Sequence, residues 1–321
     1  MSMIYKGQVV ESEQSKNSSG GTEMMRQRVI DNVDSNLLAN VAIHFSRPRD
    51  IPTDVGLNIL YCHDLAEDPE NKILLNGGWN KFDHFVFVTQ WQRDQYIGAY
   101  DIPYAMCSVI PNAVEKNFVV PENNDHQGKI KFIYHTTPHR GLELVYPIID
   151  QLSKEYNDIH LDVYSSFAIY GWAHRDEPYV DLFTRIHNHP NMTYHGSVPN
   201  AQVLAALDKA DIFLYPNIWK ETSCIALIEA IKSGVLCIHP NYGALTETSG
   251  GATISYDYTE DPQDHANVAY SVTKQVIETH KADNQFFKKF TTSDRAFLTR
   301  NTIDIFQNRW NKLISELNEQ R

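Results

Sequence analysis

The chain has 321 residues and a mass of 36.8 kDa, which at about 150 residues per domain predicts two domains of ordinary size. Hydrophobic residues make up 42% and charged residues 21% of the sequence, a composition that excludes a disordered, collagen-like or coiled-coil protein. The 28 Lys and Arg residues against 40 Asp and Glu residues give a formal charge of -12. A net negative charge of this size does not attract nucleic acid or an anionic membrane surface.

The cysteines and the N-terminal sequence indicate the compartment. The four cysteines are far apart, and none forms a CxxC pair (Cys62, Cys107, Cys224 and Cys237), so we expect reduced core thiols. Residues 1–21 are polar and lack the apolar segment of a signal peptide, and no apolar run reaches the roughly 18 residues of a membrane span. We therefore expect a cytoplasmic protein that is not secreted by this route and has no transmembrane segment.

Short runs of β-branched and aromatic residues alternate with helical patterns, which is typical of βα units around parallel sheets. The predicted strands are residues 58–62 and 84–89 in the first half, and 129–135, 159–165, 191–195, 211–215, 235–239 and 252–256 in the second. The predicted helices are residues 141–156, 179–188, 200–209, 222–233 and 264–280, with Asn200 as an N-cap and Gly234 as a C-terminal stop. The second half therefore resembles a complete doubly wound domain.

The segment 119–128 has no periodicity and several turn formers, so it is the best linker candidate. The predicted organisation is an N-terminal domain at 1–122, a C-terminal domain at 123–290 and a C-terminal segment at 291–321. We expect this last segment to pack back toward the N-terminal domain. Its residues 294–319 are predicted to form one amphipathic helix with the apolar positions Phe297, Ile303, Phe306, Trp310, Leu313 and Leu317.

The most specific group of candidate functional residues lies between Glu221 and Glu229, after the predicted strand 211–215. On one helix, eight residues would separate the two carboxylates by about 12 Å along the axis, which is comparable to the distance from the sugar to the ribose in a nucleoside diphosphate sugar. The first-turn amides of Thr222, Ser223 and Cys224 would then be available to a phosphate. The alternative is that Glu221 is a favourable charge at a helix N-terminus and Glu229 a solvated helix residue.

A second candidate is the turn from His135 to Gly141, at the carboxyl end of the strand 129–135. Open α/β sheets bind ligands at this edge, and the guanidinium of Arg140 can hold a phosphate with two hydrogen bonds. The alternative is a surface turn with a solvated Arg140. A glycine-rich loop at Gly20 and Gly21 precedes another helical pattern, but it matches neither GxGxxG nor a P-loop.

Single residues elsewhere carry weaker signals. His63 follows the strand 58–62, where a histidine is more often structural than catalytic. His187 and His189 have no carboxylate or cysteine at ligand spacing, so we assign no metal. No GxSxG motif and no Cys–His pair supports a nucleophilic hydrolase. Trp219 lies close to Glu221 in sequence, and it is either a core or cleft-wall aromatic or a surface on which a sugar stacks.

Taken in chain order, these motifs resemble the retaining glycosyltransferases of family 4. The matching stretches extend from about residue 18 to residue 260, and the ordered set is more specific than any one member: Gly20–Gly21, His63, 87–92, 109–113, 139–141, 194–198, 211–216 and 221–229. The resemblance implies an α/β protein with the GT-B fold, in which two doubly wound, Rossmann-like domains face each other across a cleft. The N-terminal domain would supply the acceptor surface and be shorter than the family norm, and the C-terminal domain would bind the nucleotide sugar.

The resemblance implies roles for four residues. Glu221 would contact the donor sugar, and Glu229 would bind the ribose. Arg140 would neutralise the diphosphate leaving group, and His63 would approach the sugar in the closed cleft. The remaining donor contacts implied by the resemblance are Gly20, Gly21, Thr136, Thr137, His139, Gly196, Val198, Thr222, Ser223 and Cys224, with residues 195–198 as the base pocket.

Two departures from the family pattern affect the donor site. The family usually has a second basic residue a few positions before the one that matches Arg140, where this chain has Thr136, Thr137 and Pro138. Diphosphate binding is therefore expected to depend more on hydroxyls and helix amides. The common Phe-Gly after the first Glu is replaced by Ser223-Cys224, which leaves the identity of the donor open.

The implied function is the retaining, metal-independent transfer of a hexosyl unit from a UDP- or GDP-linked sugar to a hydroxyl of a carbohydrate or glycoconjugate acceptor, in glycan synthesis. We expect no cofactor and no nucleic-acid partner. Two alternatives remain open: a nucleotide-sugar epimerase or hydrolase, and a catalytically weak nucleotide- or sugar-binding protein of the same fold. The linkage and the oligomeric state also stay open.

Overall fold

A computed structural model of the chain describes residues 2–11, 20–115, 128–292 and 296–320. The chain divides into two compact units. The first contains Met1–Glu115, Glu221–Ser223 and Thr299–Arg321, and the second contains Lys116–Lys220 and Cys224–Leu298. The predicted linker at 119–128, apart from Gly128, and the predicted boundary at residue 122 lie outside the described residues. Within the described parts, no helix is both long enough and apolar enough to cross a membrane.

The first unit is built on a six-stranded sheet with the order β2-β1-β3-β4-β5-β6. Strands β3 to β6 pair in parallel, while β1 and β2 form an antiparallel hairpin beside β3. The predicted strands 58–62 and 84–89 are confirmed as β4 and β5. The strands are β1 (Ser2–Tyr5), β2 (Gln8–Glu11), β3 (Val41–Phe45), β4 (Leu57–Cys62), β5 (His84–Phe87) and β6 (Cys107–Val109), and the helices are α1 (Gly21–Asn32), α2 (Ser35–Leu38) and α3 (Gln90–Tyr100).

The edge hairpin and β3 are strands that the periodicity of the sequence does not predict. Lys6 and Gly7 both have positive φ, 49° and 76°, as a two-residue hairpin turn requires. This turn was the available signal for β1 and β2, because their own residues are mostly polar or half-exposed. Strand β3 is buried along all five residues, and the Nε2 atom of its polar residue His44 lies 3.2 Å from Asn58 Oδ1.

The second unit is a six-stranded, wholly parallel sheet with the order β12-β11-β10-β7-β8-β9. All six strands predicted for this half are confirmed. They are β7 (Ile130–Tyr134), β8 (Ile159–Val163), β9 (Met192–Tyr194), β10 (Ile212–Leu214), β11 (Leu236–Pro240) and β12 (Ile254–Tyr256). The helices are α4 (Leu142–Glu155), α5 (Val180–Asn188), α6 (Asn200–Leu207), α7 (Ile225–Lys232), α8 (Leu245–Ser249), α9 (Pro262–Ala282) and α10 (Phe286–Thr292).

The strand order of the second unit reverses at its centre. From β7 the chain proceeds outward through β8 and β9, then returns to β10 on the other side of β7 and proceeds through β11 and β12. The carboxyl ends of β7 and β10 therefore form the topological switch point, where doubly wound sheets bind ligands. The predicted turn from His135 to Gly141 begins at the end of β7, and the segment that leads to the predicted Glu221–Glu229 group begins at the end of β10.

The prediction of a single helix in the C-terminal segment is wrong. Residues 294–319 do not form one helix: a 3-10 helix at Ala296–Asn301 is followed by α11 (Ile303–Glu319). Thr302 separates them because its backbone is extended, with φ -84° and ψ 155°. Helix α11 belongs to the first unit, where Trp310 is fully buried and its ring lies 5.1 Å from that of Tyr61.

The cysteines are free thiols. Cys62, Cys224 and Cys237 are buried in the cores, as predicted, whereas Cys107 is only half-buried.

Candidate functional site

The turn after β7 holds four polar atoms that are shielded from solvent and lack a hydrogen-bond partner among the described residues. They are His135 Nε2, Thr136 Oγ1, Thr137 Oγ1 and His139 Nδ1. A buried polar group without a partner costs roughly 1–3 kcal/mol, so several in one turn need an explanation. Their position at the switch point indicates a place where a polar ligand supplies the missing hydrogen bonds.

The geometry of this turn depends on Gly141. Its φ of 121° lies in a region that side chains rarely adopt, and a Cβ there would lie 2.2 Å from the carbonyl oxygen of Pro216. The backbone of Ile218 also donates a hydrogen bond to the Arg140 carbonyl at 3.3 Å. The loops after β7 and β10 therefore contact each other backbone to backbone, which only glycine allows at this position.

Both histidines of the turn are neutral at physiological pH. Burial lowers the pKa of His135 to about 3. Burial, with smaller contributions from Arg140 and Arg175, lowers the pKa of His139 to about 4. A neutral imidazole offers one N–H donor and one acceptor nitrogen, so these side chains can bind hydroxyl groups, and the positive charge of the turn resides on Arg140.

Glu229 on α7 is buried, with 4% of its surface exposed, and accepts a hydrogen bond from Asn200 Nδ2 at 3.1 Å. The alternative in which Glu229 is a solvated helix residue is therefore wrong. The prediction that Asn200 is an N-cap is also wrong, because Pro199 occupies that position and the Asn200 amide turns to Glu229 instead. The stop at Gly234, φ 76°, is confirmed.

Helix α7 begins at Ile225, with Cys224 as its N-cap, rather than at Thr222. The spacing of Glu221 and Glu229 along one helix therefore does not apply, and the amides of Thr222 and Ser223 are not part of the first helical turn. Local hydrogen bonds explain the late start. Thr222 Oγ1 donates to the His63 carbonyl at 2.7 Å, and the Thr222 carbonyl accepts from Thr89 Oγ1 at 2.8 Å.

In the first unit, the segment Glu221–Ser223 therefore lies beside His63. The His63 ring stacks on Phe45 at 6.1 Å and contacts Tyr61 at 4.2 Å. Both ring nitrogens are shielded from solvent and have no partner at hydrogen-bond geometry in the described ranges. Burial lowers the pKa of His63 to about 3, and the nearby backbone of Tyr61 opposes this shift only in part. Glu221 is 4% exposed. Glu221 and His63 are thus both buried in the first unit, and Thr222, which follows Glu221, joins their segments through its hydrogen bond to the His63 carbonyl.

The glycine-rich loop leads into α1, as the sequence predicts. Gly20 is buried, has an extended backbone and precedes Gly21, the first helical residue. Residues 12–19 of this loop lie outside the described residues.

A cavity of about 360 Å³ lies on the second unit between α6 and strands β7 and β8. It is lined by Lys131, Ile133, Asp162, Tyr164, His195, Val198, Gln202, Ala205, Ala206, Lys209 and Ala210, and it includes His195 and Val198 from the predicted base pocket. His195 Nε2 lies 2.7 Å from Asp162 Oδ1, and its ring stacks on Tyr164 at 4.2 Å. Gly196, which lies in the turn between His195 and Val198, has a φ of 68°.

The sequence interpretation missed Asp162 and Tyr164. The alternation of buried and half-buried residues along β8 was the signal that could have found them, because every second residue of a strand faces the same side. Among the described residues, no group of three or more His, Cys, Asp or Glu side chains is arranged to hold a metal ion.

The family model for glycosyl transferases group 1 matches residues 113–290. No curated protein sequence is significantly similar to this chain. Among solved structures, a glycosyltransferase from Rickettsia africae ESF-5 is similar over 97% of this chain and 85% of its own, with 13% identity and a TM-score of 0.64.

Two further solved structures are similar to this chain. Anabaena Alr3699/HepE, crystallised in complex with UDP-glucose, has 15% identity and a TM-score of 0.59, over 83% of this chain and 72% of its own. The pneumococcal O-GlcNAc transferase GtfA, in complex with UDP and GlcNAc, has 13% identity and a TM-score of 0.58, over 81% of this chain. The matched region spans only 52% of GtfA. At these identities the likeness shows the fold, the two Rossmann-like domains of GT-B glycosyltransferases.

We expect Gly141→Ala to destabilise the protein by about 2 kcal/mol or more, because it combines an unfavourable backbone conformation with a clash against the Pro216 carbonyl. Urea unfolding followed by circular dichroism measures the change. Gly98→Ala is the matched control, since a Cβ at Gly98 meets no atom within 4 Å and lies within α3, where alanine is favoured by up to about 1 kcal/mol. Equal stability of the two variants would contradict the packing described here.

The lowered pKa values of His63 and His135 predict that stability falls with acid. The unfolded chain binds these protons near pH 6.5 and the folded chain only near pH 3, so the free energy of unfolding falls as pH decreases from 6.5. The limit is about 1.4 kcal/mol per pH unit for each histidine. Urea unfolding between pH 6.5 and 5 measures the slope. His135→Gln should reduce this slope; equal slopes for wild type and His135→Gln would refute a buried neutral His135.

Proposed function

Because the chain belongs to the glycosyl transferases group 1 family and is a glycosyltransferase, we propose that it is a retaining, metal-independent hexosyltransferase similar to those of family 4. It transfers the hexosyl unit of a nucleoside diphosphate sugar to a hydroxyl of a carbohydrate or glycoconjugate. The observation that supports this most strongly is the set of four shielded, unpartnered polar atoms in the turn after β7. The neighbours crystallised with UDP-glucose and with UDP and GlcNAc favour a UDP-linked donor.

In this proposal the turn after β7 binds the diphosphate. The Thr136 and Thr137 hydroxyls donate to phosphate oxygens, and Arg140 supplies the charge that stabilises the leaving group as its negative charge develops. Backbone amides at the start of α4 and of α1, the latter at Gly20–Gly21, add donors without side-chain charge. A single arginine with hydroxyls replaces the pair of basic residues usual in the family.

Glu229 binds the ribose of the donor. Its carboxylate accepts hydrogen bonds from vicinal hydroxyls, and Asn200 fixes its orientation through the 3.1 Å hydrogen bond to Oε1. The nucleobase lies against the turn at Gly196 and Val198, beside the cavity of the second unit. These contacts are made equally in the ground state and the transition state, so they contribute to affinity for the donor.

Glu221 and His63 orient the hexose. Glu221 accepts from sugar hydroxyls, and the neutral imidazole of His63 supplies a donor and an acceptor that have no other partner in the described part of the chain. Thr222 ties the two together through its hydrogen bond to the His63 carbonyl. Ser223 and Cys224 follow Glu221 closely in the sequence, and in this proposal they determine which hexose is accepted.

The reaction then proceeds on one face of the sugar. The bond from the anomeric carbon to the β-phosphate oxygen breaks, the acceptor oxygen forms the new bond on the same face, and the acceptor proton passes to the departing diphosphate. The protein contributes orientation and stabilisation of charge. No side chain acts as a covalent nucleophile in this scheme.

We expect Arg140→Ala and Glu221→Ala each to reduce transfer by roughly 10²- to 10³-fold, because each removes stabilisation or orientation needed in the transition state. Sugar transfer from UDP- and GDP-hexoses to an acceptor panel, with the products analysed for anomeric configuration, measures the effect. Arg185→Ala, at an exposed arginine on α5 of the second unit, is the control.

Undiminished turnover in a folded Arg140→Ala variant would remove Arg140 from the site. Donor consumption that needs no acceptor would instead identify a hydrolase or epimerase. Nucleotide binding without any turnover would identify a binding protein of the same fold.

A further inference from the structure

An aromatic strip extends across the second unit from the turn after β7. His139 lies at its centre, with the Trp219 ring edge-on at 4.9 Å and the Phe167 ring stacked at 5.1 Å. Beyond Phe167, the guanidinium of Arg175 lies 4.7 Å from the Phe167 ring and 5.4 Å from the Trp172 ring. The strip thus has the order Trp219–His139–Phe167–Arg175–Trp172, and its residues come from three separate parts of the sequence.

The two tryptophans at the ends of the strip are exposed, whereas between them Phe167 is buried, His139 is half-buried and Arg175 is exposed. Trp219 has 44% and Trp172 has 39% of its surface exposed, against 3% for Phe167. Burying two exposed indoles would gain hydrophobic free energy, so leaving them exposed beside a ligand turn indicates a surface that is covered by something else.

Both indoles stand on backbone that is already fixed. The Trp219 amide donates to Asn217 Oδ1 at 3.0 Å, and Asn217 Nδ2 donates to the Trp219 carbonyl. The Trp172 amide donates to the Phe167 carbonyl at 3.2 Å, and its own carbonyl accepts from the Arg175 amide at 2.8 Å. A ligand that stacks on these rings therefore loses little free energy to ordering the loop.

The chemistry of the strip fits a carbohydrate. The polarised C–H groups of a pyranose ring are attracted to the negative face of an indole, as a cation is, and Arg175 can donate to hydroxyls at the rim. The exposed carboxylates of Glu177 and Asp181 lie in the same segment. Their negative charge would repel an anionic lipid surface, so such a surface is not the ligand of the strip.

Resting on the proposed function, we propose that this strip binds pyranose rings of a glycan acceptor, through stacking on Trp219 and Trp172. Continuity supports the assignment, because His139 in the strip directly precedes Arg140 in the diphosphate turn. The acceptor is then an oligosaccharide or the glycan part of a glycoconjugate, and the second unit binds more than one of its rings in addition to the acceptor surface that the family resemblance implies for the N-terminal domain.

Binding to an array of neutral and acidic oligosaccharides, followed by calorimetric titration of the best-bound glycan, tests this assignment. Trp219→Ala and Trp172→Ala should each weaken glycan binding roughly tenfold, and Trp219→Phe should restore most of it. Tyr104→Ala is the matched control: Tyr104 is 66% exposed and also lies beneath an arginine, Arg93, but it belongs to the first unit, whereas all residues of the strip belong to the second.

Titration of UDP into the same variants separates the outcomes. We expect the UDP affinity of all four variants to equal that of wild type. Wild-type glycan affinity in both Trp→Ala variants, or no glycan bound by the wild type, would overturn the strip as an acceptor site. A loss of UDP affinity in Trp219→Ala would show that the strip stacks the nucleobase instead. Failure of the wild type to bind any nucleotide would contradict the proposed function itself, whatever the glycan result.

Discussion

The close approach of Gly141 to the Pro216 carbonyl is the contact on which the site of the second unit depends. It joins the loops after β7 and β10, which leave the sheet at the point where the strand order reverses. A side chain at Gly141 would force these loops apart. Because they meet backbone to backbone, the turn holds in place four polar atoms, of His135, Thr136, Thr137 and His139, that have no hydrogen-bond partner among the described residues.

Buried polar atoms without a hydrogen-bond partner occur in the described parts of both units, and in each unit they belong in part to a neutral histidine. His63 in the first unit and His135 in the second are both neutral, because burial opposes their protonation, and each has a ring nitrogen without a partner in the described residues. Neutral donors and acceptors suit sugar hydroxyls and phosphate oxygens without adding charge. In the proposed function, Arg140 provides the positive charge where the leaving group develops a negative one.

Much of the second unit could be predicted from sequence because its central strands β7, β10 and β11 are buried almost throughout and are largely apolar. The turn 135–141 and Glu229 could be found because chain order places them after such strands. Features that depend on contacts between residues far apart in the sequence could not be predicted. The late start of α7 follows from hydrogen bonds of Thr222 to His63 and Thr89, and the aromatic strip joins residues 139, 167 and 219, whose approach no local pattern encodes.

Calorimetric titration of the wild-type protein with UDP, GDP and ADP, in the presence of a metal chelator, tests the central claim most directly. The account predicts that one nucleotide binds with a micromolar dissociation constant despite the chelator, and that Glu229→Ala abolishes this binding by removing the ribose contact. No binding of any of the three at millimolar concentration would contradict a nucleoside diphosphate site at the switch point of the second unit.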